Sequence, residues 1–127
     1  MAFLSEEWCQ LHGTLAAHLP ERPGVTASVQ HVVTGGPDGD TRYRQTVVDG
    51  RLADTSLGDD PTVDLIVTET YADARSIARG ELDASVAYMQ GRVKVVGHMG
   101  AMLDLMPLLR SEELAAVRSQ VAARTDW

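Results

Sequence analysis

The stretch Gly80-Glu81-Leu82-Asp83-Ala84-Ser85-Val86-Ala87-Tyr88-Met89-Gln90-Gly91-Arg92-Val93-Lys94-Val95-Val96-Gly97 decides how the chain is read. Asp83 stands where a helix N-cap belongs, because its short carboxylate can accept from the free N–H groups of a first turn. Gly91 stands where that helix should end, since a residue without a Cβ enters the left-handed conformation of a C-terminal turn without strain. Arg92 to Val96 then reads as a strand, with Val93 and Val95 on one face and Arg92, Lys94 and Val96 on the other. Val93 and Val95 are the core-facing choices. Beyond Gly97, the residues Met99, Met102, Leu103, Met106 and Leu109 recur at helical spacing, and Pro107 is expected to kink or divide that helix.

Upstream, Thr70 can cap a helix running to Arg79 that Gly80 terminates. Thr62 to Thr68 alternates Val63, Leu65 and Val67 with polar neighbours and Ile66, as a strand does, and follows a turn at Gly58-Asp59-Asp60-Pro61. Arg51 to Leu57 and Arg42 to Val48 read as two more strands joined by Asp49-Gly50, a pair suited to a tight hairpin. Val25 to Thr34 is a fourth alternating run, with Val25, Ala27, Val29, His31 and Val33 on one face. Gly35-Gly36-Pro37-Asp38-Gly39-Asp40 supplies its turn. At the N-terminal side, Ser5 can cap a helix over 5–19 with Trp8, Leu11, Leu15 and Leu19 as its apolar stripe; Pro20 and Pro23-Gly24 end it. At the C-terminal side, Ser111 caps a last helix to Arg124 carrying Leu114, Val117 and Val121. The expected architecture is α+β: about five strands in a mostly antiparallel meander, with helices gathered on one face.

Composition narrows the function. A chain of 127 residues suits one domain, divided into an N-terminal helix (5–19), a sheet with crossover helices (25–97) and C-terminal helices (98–124). At 44% hydrophobic and 23% charged it carries enough apolar material for a core. The formal charge of −7 disfavours nucleic acid and anionic lipid surfaces, which bear the same sign. Met99 to Leu109 is broken by Asp104 and Pro107 and is far shorter than the roughly 20 residues of a membrane span, so stable membrane insertion is not expected. The N-terminal residues lack a basic segment before an apolar one, the lone Cys9 has no disulfide partner, and the C-terminal residues lack a Ser-Lys-Leu address. A cytoplasmic protein is expected. Lys94 is the single lysine among 11 basic residues, a bias typical of a GC-rich bacterial genome.

Taken together, Val63-Asp64-Leu65-Ile66-Val67, the turn Gly80 to Asp83, the helix ending Tyr88-Met89-Gln90-Gly91 and the strand Arg92 to Gly97 resemble the sterol carrier protein 2 (SCP2) family over about Gly24 to Leu109. The resemblance implies an SCP2-like sheet and helices enclosing an apolar tunnel for fatty acyl chains, sterols and similar lipids. The family often has an acidic residue where this chain has His98. Ile77, Met89, Val93, Val95, Met99, Met102, Leu103 and Met106 are the expected ligand-binding residues, methionine being suited to irregular and varied ligand shapes. The same stripe can also be plain core packing.

Other chemistry is weakly supported. Cys9 and His12 are three apart on one helix and can meet, yet a nucleophile needs a lowered pKa and a third group, so a small buried hydrophobe is the better reading of Cys9. His12, His18, His31 and His98 show no metal-ligand spacing. His98 either caps its helix or touches a ligand head group. Asp38-Gly39-Asp40 fits a hairpin turn better than a calcium loop, and no cofactor is expected. The leading expectation is a carrier without catalytic residues. The alternatives are a small enzyme of secondary metabolism using the same cavity, with Tyr88, His98, Asp104 and Glu69 as residues to test, and an interaction module with a closed cavity that meets a protein partner or forms a homodimer.

Overall fold

Five strands and five helices build the chain in the computed structural model, which describes residues 1–60 and 62–127. They are α1 (Glu6–Ala16), β1 (Ala27–Gly36), β2 (Gly39–Val48), β3 (Arg51–Leu57), β4 (Leu65–Thr70), α2 (Tyr71–Ala78), α3 (Ala84–Met89), β5 (Lys94–Gly97), α4 (Met99–Leu109) and α5 (Glu112–Ala123). One sheet takes the order β3-β2-β1-β4-β5. It is antiparallel except at its centre, where β1 and β4 run parallel with His31 beside Val67 and Val33 beside Glu69.

The helix starts follow from their caps. Ser5 accepts from the N–H of Trp8, Thr70 from Asp73, Asp83 from Ser85 and Val86, and Ser111 from Leu114, each satisfying donors that a first helical turn leaves free. His98 does the same for α4, its Nδ1 accepting from the N–H of Ala101 at 3.0 Å. The hairpin between β2 and β3 is the tight one expected, with Asp49 and Gly50 both at positive φ. Pro107 lies inside α4, which runs unbroken to Leu109. The carbonyl it leaves without a helical donor belongs to Leu103, on the solvent side.

Several boundaries shift. The first helix is shorter than 5–19, ending at Ala16 and leaving Leu19 buried in the turn beyond. The first strand begins at Ala27, two residues after the expected Val25, and the fourth spans Leu65–Thr70, later than expected. Pro61, part of the expected turn at 58–61, lies outside the described residues.

The parallel pairing has a topological consequence. From β3 at one edge the chain must cross both β2 and β1 to place β4 on the far side of β1, so the structure is not a simple meander. Gln30 on β1 pins this crossing. Its side-chain amide donates to the carbonyls of Gly58 at 2.9 Å and Tyr43 at 3.1 Å, and its Oε1 accepts from the N–H of Asp60 at 2.7 Å. Gln30 is 2% exposed, although it alternates with Val29 and His31 and so lies on the other face of β1.

Gly97 serves a close approach of backbones. It pairs with Leu65 at φ 131°, and a Cβ there would collide with the carbonyl of Asp64. The opposite, inner face of the sheet carries Ala27, Val29, His31 and Val33 from β1, Tyr43 and Val47 from β2, Leu52 and Thr55 from β3, and Leu65 and Glu69 from β4. The helices pack there: α1 lies on β3, with Gly13 against Thr55, and α5 packs on α1. No described helix is long and apolar enough to cross a membrane.

Candidate functional site

Between the inner face of the sheet and the helices lies a chamber of about 160 Å³. Its apolar wall is built by period. On the sheet, residues two apart share a face, so Val29, Leu65, Val67, Val93 and Val95 all point inward. On α4, residues three and four apart do so, which brings Met102, Leu105, Met106 and Leu109 to the same space, and Ile77 closes it from α2. Five of the eight expected binding residues therefore meet in one wall: Ile77, Val93, Val95, Met102 and Met106.

The other three lie elsewhere. Met89 at the end of α3 is 77% exposed, Leu103 is 71% exposed and Met99 is 44% exposed, and none lines the chamber. The buried stripe of α4 is Ala101, Met102, Leu105 and Leu108, rotated away from the methionine pattern. Helical spacing alone fits both stripes, because the helix is apolar nearly all round; contact with the sheet selects one.

The chamber has a polar sector that sequence reasoning largely missed. His31 and Tyr43 are neighbours across β1 and β2, and their rings stack with centroids 4.4 Å apart. His31 Nε2 shares a hydrogen bond with Gln45 Oε1 at 3.0 Å, and its Nδ1 faces the Glu69 carboxylate at 3.8 Å. Trp8 and His12 come from α1, with the Trp8 ring 5.5 Å from both Tyr43 and His12. Arg118 comes from α5. Strand parity held the signal for Tyr43, Gln45 and Glu69, since each shares the inward face with Val47 or Leu65. For Arg118 the signal was its position four residues after Leu114 and three before Val121, on the buried side of α5.

Burial sets the protonation of this sector. The imidazole of His12 is pushed down to about 4, first by loss of solvation and then by the charge of Arg118, so it is neutral at ordinary pH. Desolvation raises the Tyr43 phenol well above its ordinary value and the nearby Glu69 adds to this. It also lowers Arg118, which Tyr43 and Glu69 partly restore. Cys9 lies fully buried beside this layer, its thiol pushed up to about 12 by desolvation and by Glu6 and Asp54. That environment suppresses the thiolate a nucleophile requires.

Of the residues marked for a catalytic reading, Glu69 and Tyr88 line the chamber, whereas His98 and Asp104 are exposed on the surface. His98 is the helix cap described above. Asp40 takes part in the hairpin turn, accepting from the N–H of Gly35 at 3.1 Å. Among the described residues no three His, Cys, Asp or Glu side chains are grouped to hold a metal ion. A second pocket of about 320 Å³ adjoins the chamber and shares Ile77, Ala78, Ala84, Leu109 and Arg118 with it.

Comparison with solved structures places the fold. A conserved hypothetical protein from Thermus thermophilus, described as possibly a sterol carrier protein, is similar with a TM-score of 0.75 at 17% identity, over 96% of this chain and 91% of that one. A crystal structure of sterol carrier protein 2 gives 0.69 at 16% identity over 94% and 96% of the two chains. The solution structure of palmitated sterol carrier protein 2 like 2 from Aedes aegypti gives 0.64 at 17% identity over 87% and 96%. Comparison with curated protein sequences finds no match. The sequence model of the SCP-2 sterol transfer family matches residues 25–110, which span all five strands and α2 to α4, and the chain belongs to that family.

Proposed function

We propose that residues 1–127 act as one SCP2-like unit that binds, and transfers within the cytoplasm, a single fatty acyl chain, sterol or similar lipid, with Ile77, Val93, Val95, Met102 and Met106 as the apolar contact wall. The observation that carries this reading is the chamber itself: an apolar space between sheet and helices, in a member of a sterol-transfer family. Burial of a lipid chain gives roughly 0.8 kcal/mol per methylene, so a dozen methylenes offer on the order of 10 kcal/mol before the costs of association. At about 160 Å³ the chamber is smaller than the roughly 300 Å³ at which ligand pockets begin, so a full-length lipid must also use the adjoining pocket or displace the helices. The five-residue wall is the part of α2, α4 and the sheet such a chain would touch.

Native mass spectrometry of the purified protein, with competitive titration of a fluorescent fatty acid, tests the proposal. A co-purifying or competing lipid, and loss of that binding in Met102→Asp, is the expected result. No bound lipid, no competition and no effect of the substitution would overturn it.

A further inference from the structure

Phe3 closes one end of the chamber from a segment that belongs to no helix or strand. Its ring meets Trp8 edge-on with centroids 5.3 Å apart, Tyr71 at 5.6 Å and Trp127 at 5.1 Å. Trp8 lines the chamber as well and Tyr71 opens α2. Trp127 does not line it; it lies at the surface, 39% exposed, with the Arg79 guanidinium 5.7 Å from its ring centroid. Phe3 thus stands between the chamber and a surface residue.

What holds it there is slight. Ala2 and Asp126 form an isolated bridge, with the Asp126 N–H donating to the Met1 carbonyl at 2.7 Å. The Met1 ammonium meets the Asp126 carboxylate at 2.9 Å, but that carboxylate is 85% exposed, where ion pairs contribute little. Ala2 to Ser5 is a turn closed by the Ser5 N–H on the Ala2 carbonyl at 3.2 Å, with Leu4 at φ 64°, a strained conformation for any residue but glycine. Leu4 is itself buried, and Thr125 Oγ1 donates to the Val121 carbonyl at 2.6 Å, so these two residues mark where the flanking segments swing. Parting those segments breaks a few contacts at the surface, whereas lifting α4 and α5 off the sheet exposes Met102, Leu105, Leu108, Leu114, Val117 and Val121 together. The smaller opening costs less. We propose that residues 1–4 and 125–127 form the door of the chamber, and that a ligand enters and leaves past Phe3 when they separate. This rests on the carrier reading above and adds the route that the ligand takes.

Stopped-flow mixing with cis-parinaric acid, read for association and for release, tests the door. A door limits both directions alike, so weakening it should speed association and dissociation together by about tenfold and leave their ratio within about twofold. Trp127→Ala is the cleanest probe, because Trp127 touches Phe3 without lining the chamber. Phe3→Ala should speed association as much. Arg110→Ala, at the second pocket, should change neither rate. Ala2→Cys with Asp126→Cys, joined by oxidation, should slow both rates by about tenfold until a reductant is added. Circular dichroism checks that each variant is folded; should Phe3→Ala or the paired variant not fold, or the pair not join, Trp127→Ala decides alone. Unchanged rates in Trp127→Ala, faster dissociation alone in Phe3→Ala, or acceleration by Arg110→Ala overturns the inference and leaves the carrier reading intact. No co-purifying lipid and no binding of cis-parinaric acid by the unaltered protein overturns the carrier reading and this inference with it.

Discussion

The imidazole of His31 lies flat on the ring of Tyr43, planes 2° from parallel and centroids 4.4 Å apart, while its Nε2 meets Gln45 Oε1 at 3.0 Å. The stack and the hydrogen bond hold the ring in one orientation against the chamber. Removing one partner strands the other in a partly buried place. His31→Leu and Gln45→Leu are each expected to destabilise by about 1 kcal/mol or more, and the double variant by less than their sum, because it leaves no orphan. A double-mutant cycle by urea denaturation measures the coupling.

His12 makes the fold sensitive to acid. Its folded pKa of about 4 lies below the ordinary 6.5, so between these values the unfolded chain binds the proton and the native one does not. Stability is therefore full above pH 6.5 and falls as pH drops toward 4, by up to about 3 kcal/mol. Thermal melts across that window should show a shallower decline in His12→Leu than in the unaltered protein; equal declines would argue that His12 is not buried as described.

Cys9 should be inert while the protein is folded. Its thiol is fully buried and pushed up to about 12, so at pH 8 essentially no thiolate is available. Labelling with iodoacetamide, followed by mass spectrometry, is expected to modify it only in denaturant, at a rate that tracks unfolding.

Gln30 bears more on stability than a strand glutamine ordinarily does. Gln30→Leu removes the acceptor of the Asp60 N–H and the donor to the Gly58 and Tyr43 carbonyls together. The expected loss is about 3 kcal/mol, or on the order of 10 °C in melting temperature. Differential scanning fluorimetry reads it, and a change within 1 °C would mean that the crossover of residues 58–60 is not held there.

Met102 and Leu103 are adjacent in sequence and opposite in environment. Met102→Ala is expected to cost about 2–5 kcal/mol as a buried truncation, while Leu103→Ala should stay within about 0.5 kcal/mol. Chemical denaturation of both distinguishes the observed helix face from the rotated one that the methionine spacing suggested.

Much of the fold was legible in the sequence because its signals are local. Ser5, Thr70, Asp83 and Ser111 announce helix starts through side-chain oxygens that reach only two or three residues onward, and Asp49-Gly50 specifies its turn within two residues. Valine alternation located β1 and β5 and told their inner faces correctly. The parallel seating of β4 beside β1, the crossing held by Gln30 and the face α4 turns to the sheet were not legible. Each depends on which distant segment lies opposite, and an all-round apolar helix or a polar residue on an alternating strand carries no record of that.

By itself, then, the sequence determined the kinds of elements, their order and most of their ends, and through the Gly80 to Gly97 unit it pointed to the family. Only the tertiary structure decided which side chains share the chamber, because Trp8, His31, Tyr43, Glu69 and Arg118 come from five different elements. Their separate spacings hold no information about their meeting; packing of α1 and α5 over the sheet creates it.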